Sequence, residues 1–145
     1  MSGFHDQGPA AAFALQRPMD AVPDGSIDEL WAGLDVALLT VFGSAAYAGS
    51  RATARDLDIG VSFRSHPQEL ALISGLTRLL GFDRIDLAVV DDASPLLRSE
   101  ALCGAGLYEH DDGALAAAQL AAVAERYDTA WLRRLDLERL AEGAR

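Results

Sequence analysis

Apolar and polar positions along the chain form blocks that predict helices and strands in turn. The runs VALLTVF from Val36 and LDIGVSF from Leu57 are continuous, apolar and partly β-branched, which is typical of buried strands. RIDLAVV from Arg84 predicts a third strand, and LYEH from Leu107 predicts a short edge strand. Apolar residues at helical spacing predict helices over residues 27–34, 67–80, 92–102 and 114–141.

The order of these elements predicts an α/β fold in which the strands are buried between helices. Residues 1–22 mix Gly, Pro, Gln and Ala without a clear period, so we expect a flexible leader there. We expect one domain over residues 23–145, because that length can bury a hydrophobic core and no repeat or second composition is visible.

Composition excludes several classes of protein. Apolar residues make up 50% of the chain, but no run is long enough to cross a bilayer, and the first residues lack the features of a secretory signal. We therefore expect a cytoplasmic protein. Cys103 is the single cysteine, which excludes a disulfide framework and a Cys-rich zinc site. We expect Cys103 to be a small core residue, and Trp31, Trp131 and Tyr127 to be packing residues.

The formal net charge of −10 argues against direct nucleic-acid binding and is compatible with a basic protein partner. All 12 basic residues are arginine. The absence of lysine excludes a P-loop and a lysine Schiff base. Phosphate groups would have to be bound by backbone amides, hydroxyls, arginine or a metal ion.

Carboxylates occur near the starts of two predicted strands. Asp56 and Asp58 are two residues apart, so their side chains point to the same side of a strand. If the third strand is the neighbour, Asp86 can lie beside them and complete a hard oxygen site suited to Mg²⁺ or Mn²⁺. The alternative is structural, with Asp58 paired to Arg55 and Asp86 to Arg84. An unpaired acid inside an apolar strand is costly, and this favours the metal site.

Gly43 and Ser44 directly follow the first predicted strand. A glycine lets the backbone approach a phosphate closely, and a serine adds a hydroxyl donor. Taken alone, the pair is more typical of an ordinary turn between a strand and a helix.

Together these motifs resemble the nucleotidyltransferases of the DNA polymerase β superfamily, and most closely their minimal, single-domain prokaryotic members (MNT proteins). The shared pattern is a strand, Gly-Ser, about ten residues, Asp-x-Asp, and a third Asp on a later strand. FGS from Phe42, DLDIGV from Asp56 and RIDLAVVDDASPLLRSEAL from Arg84 match it, and YDTAWLRRL from Tyr127 looks like the C-terminal helix of these proteins. The resemblance covers about residues 26–140. Eleven residues, rather than ten, separate Ser44 from Asp56.

The resemblance implies a polymerase-β-like nucleotidyltransferase fold, with a small mixed sheet flanked by helices and a long C-terminal helix. It also implies two divalent ions, Mg²⁺ or Mn²⁺, bound by Asp56, Asp58 and Asp86 together with ATP. Gly43 and Ser44 would hold the phosphates, and Arg51 or Arg55 would neutralise them.

By the same resemblance the chain is similar to antitoxins encoded beside a HEPN-domain ribonuclease toxin. Such antitoxins transfer AMP from ATP to a tyrosine hydroxyl of the toxin and form a complex with it. Two alternatives remain open: an antitoxin that neutralises the toxin by tight binding alone, and a nucleotidyltransferase acting on a small molecule of the aminoglycoside type. No membrane association is expected.

Overall fold

The computed structural model describes residues 26–46 and 56–144, and these form four strands and five α-helices. The helices are α1 (Ser26–Gly33), α2 (Glu69–Leu80), α3 (Pro95–Leu102), α4 (Ala114–Asp128) and α5 (Ala130–Gly143). The strands are β1 (Val36–Phe42), β2 (Leu57–Phe63), β3 (Ile85–Val89) and β4 (Ala105–Glu109), and short 3₁₀ turns follow β1 at Gly43–Ala46 and β3 at Val90–Asp92.

The four strands form one mixed sheet in the order β3-β2-β1-β4. β1 is antiparallel to both β2 and β4, and β2 is parallel to β3. The predicted small mixed sheet is therefore confirmed, and β4 lies at an edge as expected. β4 begins at Ala105, two residues earlier than the sequence suggests. Gly106 lies inside this strand and pairs with Thr40 instead of ending the preceding helix segment.

Helix ends follow local chemistry. Gly81 ends α2 in the left-handed conformation (φ 62°), and its N–H donates to the carbonyl of Thr77. The Ser94 hydroxyl accepts a hydrogen bond from the N–H of Leu97, and Pro95 occupies the first turn of α3. α3 thus begins three residues later than predicted, because Asp92 belongs to the 3₁₀ turn.

The two faces of the sheet are covered by different helices. On β2, Leu57, Ile59 and Val61 are fully buried in the larger core cluster, which also contains residues of α1 and α2. Residues of α3 and α4 form a second cluster with Leu38. The hydroxyl of Thr40 donates to the carbonyl of Ala101 at 2.7 Å and so ties α3 to the sheet. Alternation along β2 therefore directs Asp58 away from the larger core and towards the side of α3.

The C-terminal tract is helical as predicted, and Thr129 divides it into α4 and α5. The Thr129 hydroxyl donates to the carbonyl of Glu125 at 2.8 Å, which competes with regular helix hydrogen bonding. α5 contains no buried residue. Tyr127 and Trp131 are 78% and 59% exposed, so the expectation that they pack in the core is wrong.

Two further expectations concern chain ends and membranes. None of the described helices combines the length and apolar character needed to cross a bilayer. The predicted leader over residues 1–22 and the domain boundary after it lie outside the described residues, so that division stays a prediction.

Candidate functional site

Asp58 and Asp86 lie side by side on the two parallel strands. In the register of β2 and β3, Asp58 pairs directly with Asp86. Neighbouring strands are about 4.8 Å apart, and paired residues point to the same face of the sheet. Asp56 immediately precedes β2 and is exposed. The sequence places Asp86 beside Asp58 only if the third strand is the neighbour of the second, and this condition is met.

The electrostatics of Asp58 reflect this crowding. Burial raises the pKa of the Asp58 carboxyl, and the charges of Asp86 and Asp56 raise its pKa further. Ionised Asp58 is therefore in an unfavourable environment, and a bound cation would relieve both causes. Arg84 does not serve as that counter-charge in the described structure, because its guanidinium lies 5.2 Å from the centre of the Phe82 ring.

Gly43 meets Asp58 at the end of β1, where Phe42 pairs with Asp58 across the strands. Its φ is +66°, which favours glycine. A Cβ added to Gly43 would collide with Oδ2 of Asp58. The Gly-Ser turn and the acid are thus packed against each other, and both backbone conformation and space require glycine here.

A cleft of about 580 Å³ opens beside these residues. Its sheet side includes the end of β1, the 3₁₀ turn and Asp58, and its far side is formed by α3, α4 and the residues that connect α3 to β4. The lining residues are Phe42, Gly43, Ala46, Asp58, Ser99, Glu100, Cys103, Gly104, Ala105, Val123 and Arg126.

Three residues of the far wall were not predicted from the sequence. Ser99 is buried on α3, Arg126 lies on α4, and Cys103 follows α3. Cys103 is exposed at the cleft, so its assignment to the core is wrong. The spacing of α4 held a signal for Arg126, because it lies one turn after Ala122, the buried residue of that helix, and therefore on a similar face.

The remaining predicted site residues are placed as follows. Ser44 is exposed within the 3₁₀ turn next to Gly43. Arg51 and Arg55 lie outside the described residues, so their contact with phosphates stays a prediction.

The acids fit a divalent cation in chemistry and in placement. Their donors are carboxylate oxygens, which Mg²⁺ and Mn²⁺ prefer, and two of them stand on paired strand positions. Within residues 26–46 and 56–144, however, no three His, Cys, Asp or Glu side chains are already gathered as a ready-made ligand set. The carboxylates are neighbours that repel one another, and a cation would have to draw them together.

The mixed sheet, the Gly-Ser turn and the adjacent strand acids agree with the fold expected from the sequence resemblance. No protein-family model and no curated protein sequence matches the chain. Solved structures do match, and they include complexes of the MntA antitoxin with its toxin.

A toxin–antitoxin structure with AMP-PNP matches with a TM-score of 0.63 at 17% identity, covering 83% of this chain and 99% of the other. A MntA-HpeT complex with two aspartates changed to glutamate gives the same values. The complex of the tri-AMPylated Shewanella oneidensis HEPN toxin with its MNT antitoxin matches with a TM-score of 0.59 at 18% identity, covering 81% of this chain and 94% of the other. The fold is thus shared with these proteins, as the sequence resemblance predicted.

Proposed function

We propose that this protein is a Mg²⁺-dependent nucleotidyltransferase that acts as an antitoxin. It transfers AMP from ATP to a tyrosine hydroxyl of a cognate HEPN ribonuclease toxin and thereby silences the toxin. The observation that carries the proposal is the direct pairing of Asp58 with Asp86 beside a glycine that no other residue could replace without strain. The fold gains nothing from the paired acids, since two adjacent like charges destabilise it.

Three findings support the nucleotide as the substrate. The cleft beside Asp58 has about 580 Å³, which lies in the range of small-molecule sites. One structural neighbour contains AMP-PNP, and another contains a toxin that carries AMP groups. Because the chain has no lysine, backbone amides, hydroxyls and arginine would bind the phosphates; Gly43 lines the cleft, and Ser44 follows it in the same 3₁₀ turn.

In the proposed reaction the tyrosine oxygen attacks the α-phosphorus of ATP. The bond from that phosphorus to the bridging oxygen of diphosphate breaks, and diphosphate leaves. Asp86 accepts a hydrogen bond from the attacking hydroxyl and orients it, and the proton passes to solvent. Asp56, Asp58 and Asp86 would hold two Mg²⁺ or Mn²⁺ ions, which neutralise charge on the entering and leaving oxygens when bound.

A second candidate is an antitoxin that acts by tight binding without catalysis. The observation in its favour is the surface of α5, where Trp131, Leu137 and Leu140 are exposed although they are large and apolar. Large apolar side chains that stay exposed are often covered by a protein partner. Binding through α5 and AMP transfer at the cleft are compatible, so the experiment must separate them.

The test incubates the purified protein with its HEPN-domain partner, ATP and Mg²⁺, and measures the mass of the partner. The wild type is expected to add one or more AMP groups to a tyrosine. Asp58→Asn and Asp86→Asn are expected to lose the transfer, while Asp83→Asn retains it, because Asp83 is exposed, precedes β3 and is not among the lining residues of the cleft. If Asp58→Asn transfers no AMP but still rescues cells from the toxin at equal expression, tight binding is the function.

A further inference from the structure

Arg126 and Asp58 both line the cleft. The described lining includes two acids, Asp58 and Glu100, and Arg126 is the one positively charged residue among the lining residues of the described chain. A polyphosphate entering this space meets the like charges of both acids. Arg126 is the group that can offset them.

The neighbouring arginine shows what a purely structural role looks like in this region. Arg98 on α3 donates two hydrogen bonds to Glu125, at 2.7 and 3.0 Å. It also donates to the carbonyls of Val90 and Ala93, at 2.8 and 3.0 Å. Its donors are thus used to join α3, α4 and the turn after β3.

Arg126 is used very differently. Within the described residues its guanidinium makes one hydrogen bond, from Nη1 to the Ser99 hydroxyl oxygen at 3.5 Å, and no ion pair. That distance is at the limit for a hydrogen bond, so most of its donor capacity remains available. A cation whose donors are unused at the wall of a cleft is suited to an anionic ligand.

The backbone around Arg126 is nevertheless held in place. Ala122, which lies one turn earlier on α4, is buried in the second core cluster. The carbonyl of Arg126 accepts a hydrogen bond from Nη2 of Arg133 at 2.7 Å. The Ser99 hydroxyl donates to the carbonyl of Leu96 at 2.8 Å, which leaves its oxygen directed to accept from Arg126. The guanidinium is therefore anchored at its base and free at its tip.

We propose that Arg126, which lines the cleft together with Gly43 and Asp58, binds the polyphosphate of the nucleotide there. This inference rests on the proposed function, because it takes the nucleotide as the occupant of the cleft. A guanidinium presents a planar set of donors that can contact two phosphate oxygens at once. In a chain without lysine, this side chain on α4 would do what a lysine does elsewhere.

The experiment measures the dissociation constants of AMP, ADP and AMP-PNP in Mg²⁺ for the wild type, Arg126→Ala and Arg126→Lys. Arg78→Ala is the matched control, because Arg78 is exposed on α2, on the other side of the sheet. Loss of charge-assisted hydrogen bonds to the outer phosphates is expected to weaken AMP-PNP binding by about tenfold or more in Arg126→Ala. AMP binding is expected to change much less. Arg126→Lys retains the charge without the planar fork, so its affinity for AMP-PNP should lie between those of the wild type and Arg126→Ala.

The affinities of the Arg126 variants for the three nucleotides distinguish the roles that Arg126 could have. An equal loss of affinity for all three nucleotides would contradict a contact with the polyphosphate. Unchanged affinity, with a lower melting temperature, would show that Arg126 only joins α3 to α4. In both cases AMP transfer by the wild type would leave the proposed function intact. If the wild type binds no AMP-PNP, the proposed function fails and this inference fails with it.

Discussion

Replacing Asp58 by Asn should make the protein more stable and inactive at the same time. The pKa of Asp58 is raised by burial and by Asp86 and Asp56, which means that its ionised form destabilises the folded state at neutral pH. Asn has the same size and no charge. The substitution therefore removes the repulsion and leaves the packing against Gly43 nearly unchanged.

The size of the repulsion between Asp58 and Asp86 follows from the spacing of their strands. Two unit charges about 5 Å apart interact by about 1 kcal/mol in water and by about 3 kcal/mol at an effective dielectric constant of about 20. Asp86 is exposed and Asp58 is only half-buried, so solvent screening places the value near the lower limit. We expect a stabilisation of about 1 kcal/mol, equivalent to about 3 to 5 °C in the melting temperature of a domain of this size.

The assay is thermal unfolding at neutral pH, first in EDTA and then in Mg²⁺. In EDTA, Asp58→Asn should melt above the wild type, while Asp83→Asn should melt with it. Mg²⁺ should raise the melting temperature of the wild type more than that of Asp58→Asn, because only the wild type keeps the full set of carboxylates. A variant that melts below the wild type in EDTA would refute the reasoning, since Asp58 would then have a stabilising structural partner.

Three other substitutions test the structure. Gly43→Ala should destabilise the fold by about 1–3 kcal/mol in a denaturant titration, because φ is +66° and the new Cβ collides with Asp58. Gly33→Ala is the control and should have little effect, because a Cβ there meets no atom within 4 Å. Arg98→Ala should lower stability by about 1–3 kcal/mol through loss of the Glu125 pair and the carbonyl contacts, and urea unfolding measures it. Asp35 has its pKa lowered to about 2 by the backbone N–H groups of His66 and Ser65, so its contribution to stability is present above about pH 4 and is lost as the pH falls towards 2. Melting curves across that range should show less acid-induced loss in Asp35→Asn than in the wild type.

The sheet and the acids were predictable because their signals are local. β1 and β2 coincide with two continuous apolar runs, and each run is bounded by residues that end a strand. The pairing of Asp58 with Asp86 also required that β2 and β3 be parallel neighbours in this register, which the sequence left as a condition. Periodicity and motif spacing carry information of this kind without knowledge of the rest of the fold.

The far wall of the cleft could not be predicted in the same way. Arg126 and Cys103 reach the cleft only because α4 packs on α3, and that contact depends on the tertiary arrangement of small residues such as Ala101 and Ala122. The exposure of Trp131 has the same origin, because an apolar residue on a helix packs only where the fold offers a neighbouring surface.

The most direct test of the central claim is the mass of the proposed HEPN-domain partner after incubation with the protein, ATP and Mg²⁺. If the paired acids serve AMP transfer, the partner gains AMP on a tyrosine, EDTA prevents this gain, and Asp58→Asn abolishes it while the folded variant melts above the wild type. An unmodified partner with the wild-type protein, or equal modification with Asp58→Asn, would contradict the claim that these carboxylates are there for AMP transfer.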